Sequence, residues 1–107
     1  ALRVVAKAKI GGSNVLQVKV TDLPGYTPAT GVSAVSLNVT ATGTKGPGFL
    51  TVYACGAMEE VSSLNYNSGA TVANAVLAPV SASGTICIYS LALTDVVVDI
   101  NGWIGTS

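Results

Sequence analysis

Hydrophobic and polar positions alternate along most of the chain with a period of two, and no stretch sustains a helical period. Leu2, Val4, Ala6, Ala8 and Ile10 alternate with Arg3, Val5, Lys7 and Lys9, which predicts a strand with one apolar and one largely basic face. Gly11-Gly12-Ser13-Asn14 reads as a turn. Leu16, Val18 and Val20 then alternate with Gln17 and Lys19, so residues 2–20 are expected to form a hairpin. Residues 22–31, with Pro24, Gly25 and Pro28, read as a loop or corner. Val35, Leu37 and Val39 alternate with Ser36, Asn38 and Thr40, and Gly43, Gly46, Pro47 and Gly48 end that run.

The second half repeats the pattern. Residues 49–55 read as a strand, 56–60 as a turn and 61–66 as a short strand. Residues 71–80 form another, its end demoted to an edge or bulge by Pro79. Ala70 to Ala78 is the one stretch open to a helical reading, but its β-branched residues and the preceding Asn67-Ser68-Gly69 turn favour a strand. Ile86 and Ile88 oppose Cys87 and Tyr89. Val96, Val98 and Ile100 alternate with Asp95, Val97 and Asp99, ending at Asn101-Gly102-Trp103. About eight short strands at such spacing predict an all-β, two-sheet sandwich with Greek-key, jelly-roll-like or immunoglobulin-like connections. A closed barrel fits less well, because Pro79 and the short 61–66 run look like sheet edges.

Length makes this one expected domain over residues 1–107, able to bury roughly 64% of its unfolded surface. Only 9% of residues are charged, against about 25% in an ordinary soluble domain. Five basic and five acidic residues cancel. Nucleic acid requires a basic stripe and an anionic membrane a basic cluster, so neither is an expected partner. No apolar run reaches the roughly 18–20 residues of a transmembrane helix. Arg3 is followed by alternation instead of a solid apolar segment, so no signal peptide is read at the start. The mean hydropathy of +0.60 must be absorbed by a core, an interface or both.

Candidate chemistry is sparse. The chain has no histidine, the commonest general base and metal ligand. Serines therefore have no evident base, and no catalytic residue or cofactor is expected. Glu59 and Glu60 are adjacent and would point to opposite sides of an extended backbone, which suits a solvated turn. Asp95 and Asp99 share a strand face roughly 13 Å apart, too far for paired-carboxylate hydrolysis of a glycoside. Calcium binding there would need oxygens from another loop, such as that of Asp22; a hydrogen-bonding role is the plainer reading. Asn38-Val39-Thr40 matches a glycosylation acceptor but sits in a strand. Tyr26, Tyr53, Tyr66, Tyr89 and Trp103 would stack on sugar rings if they formed an exposed row; the plainer reading leaves each half-buried with its polar end tethered. Cys55 and Cys87 each lie at the edge of a strand-like run. They read either as a disulfide, stabilising by roughly 3–4 kcal/mol in the chain-entropy model and implying an oxidising compartment, or as two buried thiols.

From Gly31 onward the wording is familiar. "GVSAVSLNVTATGTKGPGFLTVYACG", "LNYNSGATVANAVLAPVSASGTICIYS" and "TDVVVDINGW" resemble a cysteine-bridged β module recurring in secreted and cell-surface proteins of actinobacteria and related bacteria. The resemblance covers residues 31–103 and implies an extracellular β domain with a Cys55–Cys87 bridge and no catalytic residues. Residues 1–30 lack the R-L-L-D-T-R-like opening usual in that module.

Two functions compete. The first is a non-catalytic, self-associating subunit of a fibre, pilus-like filament or surface layer. Low charge favours association. Residues 1–45 carry Arg3, Lys7, Lys9, Lys19 and Lys45 against Asp22, and the remainder carries Glu59, Glu60, Asp95 and Asp99, a +4/−4 division suited to head-to-tail contacts. Residues 1–10, through Leu2, Val4, Ala6, Ala8 and Ile10, would serve as an exchanged or donor strand for a second copy. The second is a carbohydrate- or cell-wall-binding accessory module of a secreted enzyme, with a polysaccharide as partner.

Overall fold

The strands of this chain concentrate their aliphatic residues on one face, so each sheet must cover that face with another sheet. The computed structural model describes residues 3–25, 27–56, 62–81 and 83–105. They form β1 (Arg3–Ile10), β2 (Asn14–Lys19), β3 (Val32–Thr42), β4 (Gly48–Ala54), β5 (Ser62–Tyr66), β6 (Val72–Pro79), β7 (Thr85–Ser90) and β8 (Thr94–Gly105). Sheet 1 runs β1-β8-β3-β6 and sheet 2 runs β2-β7-β4-β5. All pairs are antiparallel.

The pairing is nested. β1 pairs with β8, β2 with β7, β3 with β6 and β4 with β5. That is one long antiparallel hairpin with its tip between β4 and β5, rolled until β3 also meets β8 and β4 also meets β7. The expected sandwich is therefore a jelly roll, and the immunoglobulin-like alternative falls away. The stretch open to a helical reading is strand over Val72–Pro79, as its β-branched content indicated, and β6 and β5 are the edges that Pro79 and the short run signalled.

Val35, Leu37, Val39, Ala41, Val96, Val98 and Ile100 of sheet 1 face Val18, Leu50, Val52, Ile86 and Ile88 of sheet 2 in one buried cluster. From Ala34 to Thr42, β3 alternates half-buried and buried positions, the burial counterpart of its sequence pattern. Six β-branched or leucine side chains of that cluster in sheet 1 are fully enclosed. At about 25 cal/mol per Å² of apolar surface, this burial is the dominant favourable term.

Two expectations require correction. The hairpin over residues 2–20 does not form, because β1 and β2 lie in different sheets. Three residues separate them, and Ser13 donates its N–H to Leu91 O instead of closing a ladder back to β1. Ser13 takes φ 58, so the chain arches across the end of the sandwich. Nor does β8 end at Asn101-Gly102-Trp103. Leu37 pairs with Ile100 and Ser36 with Gly102, which leaves Asn101 as an extra residue, a β-bulge, and the ladder resumes through Gly105. A glycine after an asparagine marks the bulge here and no turn.

A polar anchor holds the two sheets' connections. Tyr66 is buried, and its hydroxyl lies 2.7 Å from Ser90 Oγ and 3.3 Å from Ala92 O while accepting the Ala92 N–H at 3.0 Å. Its ladder partner is Gly48, where an added Cβ would stand 3.0 Å from the Tyr66 hydroxyl and 3.2 Å from two ring carbons. On sheet 2, Cys55 and Cys87 are joined with Cα atoms 5.0 Å apart, tying the end of β4 to β7.

Tyr66→Phe leaves the Ala92 N–H without its acceptor and should cost about 1–3 kcal/mol in urea unfolding. Gly48→Ala should also destabilise, and by less in the Tyr66→Phe background, where the crowding hydroxyl is gone; additive effects in the double-mutant cycle would refute this coupling. Replacing both cysteines by alanine should lower unfolding free energy by about 3–4 kcal/mol, checked by urea unfolding with the m-value fitted separately, which rises as the uncrosslinked chain exposes more surface.

Candidate functional site

Strand alternation decides which side chains of sheet 2 reach its outer surface. Along β4, Leu50 and Val52 point into the core, so Phe49, Thr51 and Tyr53 point away from it. Along β7, Ile86, Ile88 and Ser90 point inward, so Cys87 and Tyr89 point outward. The register sets Tyr89 beside Thr51 and Cys87 beside Tyr53. Tyr89 thus falls between Phe49 and Tyr53 along the strand direction. Its ring centroid is 5.8 Å from that of Phe49, with the planes tilted by 40°.

The result is a three-ring surface of Phe49, Tyr89 and Tyr53, each half-buried. Polar groups flank it. β2 contributes Gln17 beside Cys87, and β5 contributes Asn65 beside Phe49; Val15, an exposed apolar side chain, stands beside Tyr89. Tyr89 donates its hydroxyl proton to Ser13 Oγ at 3.3 Å, fixing the ring from the β1–β2 arch. The disulfide lies in the same face. Cys87 is only 8% exposed although it points outward, because the bridge and its neighbours cover it. It joins the two strands that carry all three rings, so their spacing is set covalently as well as by hydrogen bonds.

The residues singled out in the sequence are placed as follows. Cys55 and Cys87 form the bridge, and the two-thiol alternative is excluded. Leu2 lies outside the described residues. Val4, Ala6, Ala8 and Ile10 belong to β1, which pairs with β8 of its own chain opposite Asp99, Val98, Val96 and Thr94. Ile10 is in the core. Tyr26, Glu59 and Glu60 also lie outside the described residues. Tyr66 is the interior anchor, and Trp103 stands on β8 in the other sheet, so the five residues named as an aromatic row do not form one. Two of them, Tyr53 and Tyr89, do share one face, where Tyr89 packs against Phe49.

The acids are dispersed. Asp95 Oδ1 is 3.8 Å from Lys9 Nζ, with side chains 45% and 60% exposed, so the pair contributes little to stability. Asp99 lies further along β8, beside Asn38. Asp22 occupies the β2–β3 connection. Among the described residues no three His, Cys, Asp or Glu side chains are grouped as metal ligands. Because β1 lies against β8, Lys9 of the basic part stands beside Asp95 of the acidic part on one sheet, so among the described residues the +4/−4 division is not a clean separation.

Comparison with known proteins gives little beyond the fold. No family model matches the chain, and no curated protein matches it. A carbohydrate-binding module (CBM6cm-2) from the lichenase 5A of Cellvibrio mixtus, solved in complex with cellotriose, is similar at 15% sequence identity and a TM-score of 0.45, over 84% of this chain and 72% of that one.

Proposed function

We propose that this chain is a non-catalytic, extracellular carbohydrate-binding module whose outer sheet-2 face takes a polysaccharide. The observation that carries the reading is the grouping of Phe49, Tyr89 and Tyr53 on one face, with Gln17 and Asn65 beside them. Sugar rings present apolar C–H faces with hydroxyls around the rim. Aromatic rings on a sheet cover the former and neighbouring amides bind the latter. A chain this poor in charge suits a neutral glycan better than a polyelectrolyte. The disulfide supports an oxidising compartment.

A second reading, self-association, is favoured by sheet 1. Its outer surface carries Leu77 at 55% exposure and Ile104 at 48%, beside Pro79 and Ala34. A stable pair of copies would need to bury about 800 Å² on each. In this reading the chain is the subunit of a fibre, pilus-like filament or surface layer, with β1 available for exchange because it is an edge strand.

Binding isotherms on insoluble cellulose, chitin and peptidoglycan test the first reading. Phe49→Ala and Tyr89→Ala should each weaken retention on the bound polymer about tenfold, the loss expected from uncovering part of one aromatic side chain, while Trp103→Ala leaves it unchanged. Equal retention of all three variants and the parent, or retention on none of the polymers, refutes it. For the second reading, sedimentation should show oligomers that Leu77→Lys returns to single chains; a monomer at every concentration removes it.

A further inference from the structure

The end of the sandwich where β2 leaves sheet 2 and β7 enters it holds a cleft of about 560 Å³. Its volume falls within the ordinary range for small-molecule sites. Lys19 and Asp22 line it from one side, Ser81 and Ser83 from the other, and Val32 and Val80 contribute apolar surface. None of these belongs to the three-ring surface, and the following stands whether or not that surface binds a glycan.

Three properties define what the cleft can hold. First, its walls are laced together. Val20 donates its N–H to Gly84 O at 2.9 Å, Thr21 Oγ1 donates to the same oxygen at 3.4 Å, and Val80 donates its N–H to Ser33 O at 3.1 Å. Gly84 adopts φ +80, and an added Cβ would stand 1.9 Å from Thr21 Oγ1, so only glycine lets these two connections approach so closely. The cleft is formed before any ligand arrives, which lowers the cost of binding.

Second, its charges balance without cancelling. One ammonium and one carboxylate line it, and they are not paired with each other, since the ion pair among the described residues is that of Lys9 and Asp95. Asp22 is held in the left-handed region at φ 55, with its N–H bonded to Pro28 O at 2.9 Å, so the backbone beneath the carboxylate is fixed. A site with one free donor head and one free acceptor head has no preference for a net anion or cation. Third, the hydroxyls are pre-arranged. Ser81, Ser83 and Thr85 form a closed triangle with oxygen separations of 3.0, 2.8 and 3.0 Å. Each hydroxyl proton is committed within the triangle, and Ser81 Oγ also accepts the Thr85 N–H at 3.1 Å, so of the two serines facing the cleft only Ser83 has a lone pair to offer a ligand.

A free carboxylate and the Ser83 lone pair as acceptors, one strong donor, balanced charge and an apolar strip together match a molecule bearing hydroxyl donors on a partly apolar ring. We infer that this end cleft is a binding site for a neutral polyhydroxylated ring, such as a single pyranose or the terminal unit of a glycan. Asp22 accepts hydroxyl protons, Lys19 donates to a ring or hydroxyl oxygen, and Val32 and Val80 meet the C–H edge.

Amide chemical-shift titration of the whole chain with methyl β-glucoside, N-acetylglucosamine and myo-inositol tests the assignment. At least one of them should give saturable shifts at Asp22, residues 31–33, Ser83 and Gly84. Asp22→Asn, which tolerates the left-handed backbone, and Lys19→Met, which keeps the aliphatic stem, should each weaken that binding about tenfold, the effect of losing one charge-assisted hydrogen bond. Phe49→Ala should leave it unchanged. Absence of saturable shifts at these amides with all three probes overturns the inference, as does undiminished affinity in both cleft variants. Tighter binding of gluconate or glucosamine than of the neutral rings overturns the neutral class. Loss of polymer retention with the cleft shifts intact would count against the aromatic face alone.

Discussion

The burial of two one-sided sheets against each other is the constraint from which the other features follow. Inner faces rich in valine, isoleucine and leucine remove most of the chain's apolar surface from water, and the pleat then sends every second residue outward. Nothing in the core can be altered without consequence for the outside. Phe49 is where it is because Leu50 must be enclosed, and Tyr89 because Ile88 must be. The outer aromatic face is therefore read from the inner one by parity, with β7 as the hinge of the argument. It is covered on its inner side by the core and on its outer side by the disulfide.

Much of this was legible in the sequence, because period-two alternation is strong wherever one face is buried. All eight strands lie within a few residues of their predicted places, and the edge character of β5 and β6 followed from shortness and from Pro79. What alternation lacks is pairing information. The Gly11-Gly12-Ser13-Asn14 turn looks the same whether the chain folds back within a sheet or arches to the opposite one, and the choice is made by β7 and β8, some seventy residues away. The bulge at Asn101 was illegible for a related reason. A bulge is a mismatch with a partner strand, and the sequence of β8 alone contains no partner.

The candidate site divides along the same line. That Cys55 and Cys87 were positioned for a bridge was readable from their places at strand edges and from the resemblance of residues 31–103. Which aromatics assemble was not. Tyr53 and Tyr89 are far apart in the chain, and nothing in the sequence set Phe49 apart within the strand over residues 49–55. Only the register that places Tyr89 beside Thr51 brings the three together. Tyr66, similar on paper, is turned inward by its pairing with Gly48 and held there by Ser90 and Ala92. The end cleft gave no linear signal, since its lining comes from the β2–β3 and β6–β7 connections.

Charge distribution limits what such a surface can recognise. In the sequence the bases precede most of the acids, which suggested a molecule with two poles. Nested pairing sets β1 against β8 and brings Lys9 to Asp95, so opposite charges alternate over a short distance on sheet 1. Interleaved charges produce a field that decays within roughly a Debye length, about 8 Å at physiological salt, and cannot steer a distant charged partner. Discrimination must then come from contact: the flatness of a sheet, the faces of three rings and the directions of fixed hydroxyls and amides. Those contacts reward a partner that is itself neutral, rigid and rich in oriented hydroxyls. The same economy of charge that leaves Leu77 and Ile104 uncovered on sheet 1 thus sets the terms of the recognition proposed for sheet 2.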